Sequence, residues 1–112
     1  MGDNGKTVVA LAADLIFASR IRGAASHVVL AKDPADLIAK NVELKPALVV
    51  LDMDRRGLAV NDVVMQLKQT GVEVLCYVSH VREDLIAEAR AAGADRVMAR
   101  GAFAQRMTEL LT

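Results

Sequence analysis

A chain of 112 residues suits one domain and leaves no room for a second. Hydrophobic residues make up 54% of it and aromatics only 3%, so a real core forms and is built from Ala, Val, Leu, Ile and Met. Fourteen basic and fourteen acidic residues give a formal net charge of +0, which argues against nucleic acid as the main partner, because phosphate backbones call for a basic face. Cys76 is the only cysteine, so a disulfide-stapled secreted domain is excluded and a reducing cytoplasm is the expected setting. No apolar run is long enough to span a membrane. The start, MGDNGK, lacks the apolar stretch of a signal peptide. Residues 1–6 read as a short mobile tail before a domain over residues 7–112. Gly2, Gly5, Lys6 and Thr7 imitate a phosphate loop, but only two residues separate the glycines and no strand precedes them.

Strands and helices alternate regularly from there. Thr7 to Ala12 (TVVALA) reads as the first strand. Asp14 is placed to cap the following helix, LIFASRIRGAAS, in which Leu15, Ala18, Ile21, Ala24 and Ala25 recur at helical spacing. His27 to Ala31 is a short second strand. Asp33-Pro34 opens the next helix, with the acid at the cap, proline at the first helical position and Asp36 favourable to the helix dipole. That helix is expected to run to about Val42.

Ala47 to Leu51 forms the third strand, inside the run PALVVLD that ends on Asp52. Near-continuous Val and Leu over strand length indicates a strand covered on both faces, as in a parallel sheet. After a loop through Arg55, Arg56 and Gly57, Asn61 is the expected cap of a helix carrying Val63, Val64 and Leu67 and stopping near Gly71. Val72 to Val78 is strand four. A helix over roughly Glu83 to Ala92 ends at Gly93, and Arg96 to Ala99 is strand five. Phe103 to Leu111 forms one last helix.

Five β-α units with short connections give a parallel sheet with right-handed crossovers and helices on both faces. The expected architecture is α/β, a three-layer flavodoxin-like sandwich with a five-stranded parallel sheet in the order 2-1-3-4-5. In such sheets sites lie at the carboxyl ends of the strands, where Asp52 falls. Two readings of Asp52 stand side by side: a reactive or metal-binding carboxylate, or an Asp that satisfies backbone donors in its own loop.

PALVVLDMDRRGL, VREDLIAEARAAGAD and GADRVMARGAF, in that order and spacing, resemble the receiver domain of bacterial two-component response regulators over nearly the whole chain. The resemblance implies a cytoplasmic signalling module, a histidine kinase or output protein as partner, and metal-assisted phosphoryl transfer to an aspartate. It makes Asp52 the phosphoacceptor candidate, with Asp14 and Asp52 as the candidate Mg²⁺ ligands. Several working parts of the family are altered here. The acidic pair after strand one reads Ala12, Ala13, Asp14, and Asp14 also serves as a helix cap. The hydroxyl position aligns with Val78, with Ser79 next to it and His80 beyond. The lysine position is Arg100, followed by Gly101 where the family has proline, and a planar guanidinium does not replace an ammonium. Val97 stands in place of the aromatic that reports site occupancy.

The expectation is therefore a pseudo-receiver, in which Asp14, Ser79 and Arg100 are vestigial, with no resident cofactor and Mg²⁺ only if Asp52 is phosphorylated. The alternative is a phosphorylatable receiver; a small-ligand binder using the same crevice is a third reading. No nucleophile with an attendant base appears, so turnover of a substrate is not expected. Receivers commonly pair through helix four, strand five and helix five. Here that region offers Arg90, Asp95, Arg96 and Arg106 as interface candidates, for a partner protein or a twofold homodimer. Their other reading is a solvated face of local pairs.

Overall fold

Side-chain alternation along five short strands decides how the molecule is layered. The structure is a computed structural model that describes residues 6–79 and 82–112. The strands are β1 (Val8–Leu11), β2 (Val28–Leu30), β3 (Leu48–Asp52), β4 (Glu73–Val78) and β5 (Arg96–Ala99). All pair in parallel in the order β2-β1-β3-β4-β5, as expected from the sequence. Successive residues of a strand point to opposite faces. Val8, Ala10, Leu48, Val50, Leu75 and Tyr77 thus enter one core cluster, while Val9, Leu11, Val49, Leu51, Val74, Cys76 and Val78 enter the other.

Helices close both faces. Three of them, α2 (Pro34–Leu44), α3 (Val60–Lys68) and α4 (Glu83–Ala91), cover the second cluster through Leu37, Val60, Val63, Val64, Leu67 and Ala89. The first cluster is covered by α1 (Leu15–Ala24), α5 (Arg100–Gln105) and α6 (Met107–Leu111), through Phe17, Ile21, Phe103, Met107 and Leu111. Cys76 is buried in β4, and burial pushes its thiol pKa up to about 12, so it is inert core.

Four local expectations need correction. Leu15 does not face the core but is 86% exposed; Phe17 and Ile21 are the buried residues of α1. The larger ring of Phe17 takes the core position, and the Asp14 cap, fixed on the N–H of Phe17, sets the rotation of the first turn. Asn61 does not cap α3. That helix starts two residues earlier, behind Ala59, because Val60 is drawn fully into the core. The last helix starts at Arg100 and breaks at Arg106 (φ −110, ψ 14), giving α5 and α6 where one helix over Phe103 to Leu111 is expected. Finally, α2 runs past Val42 to Leu44. The expected tail falls on residues 1–5, outside the described residues, except Lys6, which has no regular structure.

Glycine occupies the left-handed turns after β3 and after α3 and α4 (Gly57 φ 74, Gly71 φ 79, Gly93 φ 106). The C-cap of α2 is the exception: Lys45 holds φ 47 and ψ 58 while its N–H donates to the Asn41 carbonyl at 3.1 Å. A side chain in that conformation costs about 1–2 kcal/mol, part of which glycine returns as unfolded-state entropy. Lys45→Gly is expected to stabilise the fold by about 0.5–1 kcal/mol in urea unfolding; a loss of stability contradicts this account of the cap.

Candidate functional site

The carboxyl ends of β1, β3 and β4 bring together Asp14, Asp52, Asp54 and Ser79, and Arg100 reaches in from the start of α5. Asp52 is the last residue of β3 and is 0% exposed. Both of its carboxylate oxygens are occupied by backbone donors. Ala13 N–H donates to Oδ2 at 2.8 Å, and Asp54 N–H donates to Oδ1 at 2.9 Å. Register places Tyr77 of β4 directly opposite Asp52. The Tyr77 hydroxyl is fully buried and close enough to Asp52 for each to shift the other's proton affinity, yet it makes no hydrogen bond of standard geometry.

Burial dominates the electrostatics of Asp52. Desolvation raises its pKa above the ordinary 3.8, the nearby Asp54 charge adds to the rise, and the two backbone N–H groups and the Tyr77 hydroxyl only partly offset it. Tyr77 is pushed upward too, first by burial and then by the Asp52 charge.

Asp14 does not converge on Asp52. Its Oδ1 accepts the Phe17 N–H at 2.7 Å, which caps α1, and its Oδ2 accepts from Arg100 Nη2 at 2.9 Å. The Phe17 N–H is the main cause of its lowered pKa; partial desolvation opposes it, and Arg100 reinforces it. Arg100 also lies over the Phe17 ring, with Cζ 4.3 Å from the centroid. Beneath it, Phe17, Tyr77 and Phe103 form one cluster with centroid separations of 5.1, 6.0 and 4.9 Å. These are all the aromatic residues of the chain. The Asp14–Arg100 pair thus roofs an aromatic column whose foot stands beside Asp52.

The remaining carboxylate is engaged as well. Asp54 Oδ2 accepts the Ser79 N–H at 2.7 Å, tying the loop after β3 to the end of β4. Ser79 itself is exposed, and His80 lies outside the described residues. Among the described residues no group of three or more His, Cys, Asp or Glu is arranged to hold a metal ion.

The sequence singled out Asp14, Asp52, Ser79 and Arg100, and all four lie at this end of the sheet. It missed Tyr77 and Phe17, whose roles depend on packing between residues far apart in the chain. The scarcity of aromatics was the only available signal. Of the interface candidates, Arg90 and Arg96 are exposed and make no ion pair among the described residues. Arg106 is closed on Glu109 at 2.9 Å. Asp95 accepts from Lys68 at 2.8 Å and from the Val74 N–H at 2.8 Å. Burial favours its neutral form, but these donors outweigh burial and its pKa is lowered.

No protein-family model matches the chain, and no curated protein matches it. Solved structures do. The receiver domain of the response regulator NarL from Mycobacterium tuberculosis superposes with a TM-score of 0.80 at 16% identity, over 96% of this chain and 94% of that one. The fold is that of a response-regulator receiver. The response regulator domain of Thermotoga maritima CheB gives 0.77 at 21% identity, covering 94% of this chain and 90% of that one. A receiver domain from Bermanella marisrubri gives 0.77 at 21%, covering 95% and 98%. What these chains share with this one at such identities is the receiver fold.

Two expectations follow for the site. Folding takes up a proton on Asp52 between its ordinary pKa of 3.8 and its raised folded value, so its contribution to stability falls as pH rises through that window. An amide in place of this carboxyl does not titrate. The stability of Asp52→Asn relative to wild type is therefore expected to rise between about pH 3.5 and pH 7, whatever constant offset the amide introduces; a flat or falling difference contradicts a raised pKa. Asp14→Ala removes a cap and a half-exposed ion pair together and is expected to cost about 1–2 kcal/mol. Arg100→Ala should cost less, and chemical denaturation of the two variants checks the order.

Proposed function

We propose that this chain is a receiver-fold signalling module that acts by binding a partner protein in the cytoplasm, without taking a phosphoryl group on Asp52. One observation carries the reading: the Asp52 carboxylate is fully buried with both oxygens bonded to backbone N–H groups. A nucleophile has to present a lone pair in line with the phosphorus; here one lone pair on each oxygen is held by a backbone N–H and burial closes the approach to the others. The raised pKa further lowers the supply of the reactive anion.

The metal requirement points the same way. Mg²⁺ calls for hard oxygen ligands in near-octahedral geometry. Asp14, Asp52 and Asp54 would be the residues to supply them, and each is already committed to donors of the protein. The Arg100 guanidinium neutralises Asp14 where a metal would otherwise gather the acids. The residues present therefore do not fit the ion in this arrangement, and no step is routed through it. No turnover of a substrate follows from this site either.

Binding is left to the surface. Leu15 and Ile16 stand side by side on the first turn of α1, 86% and 77% exposed. Leu15 lines a hollow of about 460 Å³ with Ala12, Leu30 and Ala31, together with Lys32, Arg55 and Asp14, the last already paired with Arg100. Exposed apolar pairs beside a hollow mark interaction sites, and the cations favour an acidic rim on a partner such as a histidine kinase or an output protein. Arg90 and Arg96, on α4 and β5, remain open for a second contact or for a twofold homodimer. Solved structures of the fold include a phosphorylated regulator, the cyanobacterial RcpA, and an Mn²⁺-bound one, Rcp1, which defines the competing reading.

Incubation with acetyl phosphate, or with beryllofluoride, plus Mg²⁺ separates the two. The expected outcome is no mass gain and no shift in melting temperature. A gain of one phosphoryl group that disappears in Asp52→Ala overturns the proposal.

A further inference from the structure

We infer that the hollow between the loop after β3 and the start of α4 is a binding site for the phosphoryl group of a phosphate monoester, held non-covalently by Arg55, Arg56 and Arg82. This hollow has a volume of about 270 Å³, and these three arginines line it together with Asp54, Leu58 and Leu85. It lies on the side of the sheet covered by α3 and α4. By strand alternation Asp52 belongs to the opposite face, so this site is separate from the carboxylate discussed above and independent of its phosphorylation.

Cations are gathered here rather than spread singly. Elsewhere they are either closed locally, as in Lys40–Asp36, Lys68–Asp95, Arg100–Asp14 and Arg106–Glu109, at 2.7 to 2.9 Å, or stand apart on the surface, as Arg90 and Arg96 do. Among the described residues three arginines and a single acid line this hollow, and that acid, Asp54, accepts the Ser79 N–H. Arg82 reaches Asp84 only at 3.5 Å, with both side chains more than half exposed. Arg55 and Arg56 make no ion pair or side-chain hydrogen bond among the described residues, although Arg55 is half-buried. Withdrawing a guanidinium from water without a counter-charge is unfavourable, and an anion in the hollow removes that cost.

The choice of anion follows from shape. A guanidinium presents a planar fork of donors that grips two oxygens at once. One fork matches a carboxylate, whereas several forks from different directions suit the tetrahedral oxygens of a phosphoryl dianion. Met53, Leu58 and Leu85 supply apolar contact for a short aliphatic stem. Among the described residues no Phe, Tyr or Trp lines the hollow, which offers no such platform for base stacking.

Titration of the whole chain with inorganic phosphate, and separately with a phosphoserine peptide and its unphosphorylated form, tests the site by backbone amide shifts. Saturable shifts confined to Arg55, Arg56, Gly57 and Arg82 are expected. Arg55→Gln combined with Arg56→Gln should weaken binding about tenfold or more, since each removes charge-assisted hydrogen bonds. Arg20→Gln combined with Arg22→Gln removes the same charge from exposed positions of α1 and should change binding by less than about twofold. Melting temperatures of both double variants confirm that they fold. Given saturable binding, a phosphopeptide about tenfold tighter than phosphate identifies a phosphorylated protein as the source, and equal affinities identify free phosphate or a small ester. Absence of saturation, or equal weakening in the two double variants, overturns the inference.

Discussion

The fate of one carboxylate, Asp52, sets the character of the whole carboxyl end of the sheet. A buried acid is tolerated only when its oxygens are hydrogen-bonded, and here the backbone provides both bonds, from Ala13 and from Asp54. Those donors lie on the two connections that flank the site, the one leaving β1 and the one leaving β3. Asp52 therefore acts as a staple between loops. The same constraint explains why Asp54 turns away toward the Ser79 N–H, and why Asp14 is turned toward Arg100 and its own helix. Three acids at one end of a sheet repel unless each has its own donor, and each has one.

Arg100 does for this end of the molecule what a cation from solution would otherwise do. It neutralises Asp14 and rests on Phe17, which packs on Tyr77, which in turn faces Asp52. An arginine suits that position better than a lysine because its flat face can lie on a ring while its edge donates to a carboxylate. Arg100 joins α5 to α1 across the mouth of the site.

Surface charge tells a complementary story. A net charge of zero conceals local groupings: Asp36, Asp95 and Glu109 are closed on nearby cations, whereas three arginines share one hollow with Asp54. Arg55 and Arg56, on the loop after β3, are among the cations without an ion pair among the described residues.

The sequence by itself determined the elements, the strand order and the two-sided burial of the sheet. Those follow from local signals: apolar runs of strand length, the Asp14 and Asp33 caps, Pro34, and the turns at Gly57, Gly71 and Gly93. It also placed Asp14, Asp52 and Arg100 at one end, since strand ends and helix starts in parallel β-α units fall there by topology. It misjudged the face of Leu15, the cap at Asn61 and the break at Arg106, because each is decided by which side chain the core accepts. The direction of each carboxylate, the meeting of Phe17, Tyr77 and Phe103, and the unpaired arginines were settled only by tertiary structure. Those contacts join residues up to 86 positions apart, and no local pattern encodes a hydrogen bond whose donor arrives from another strand.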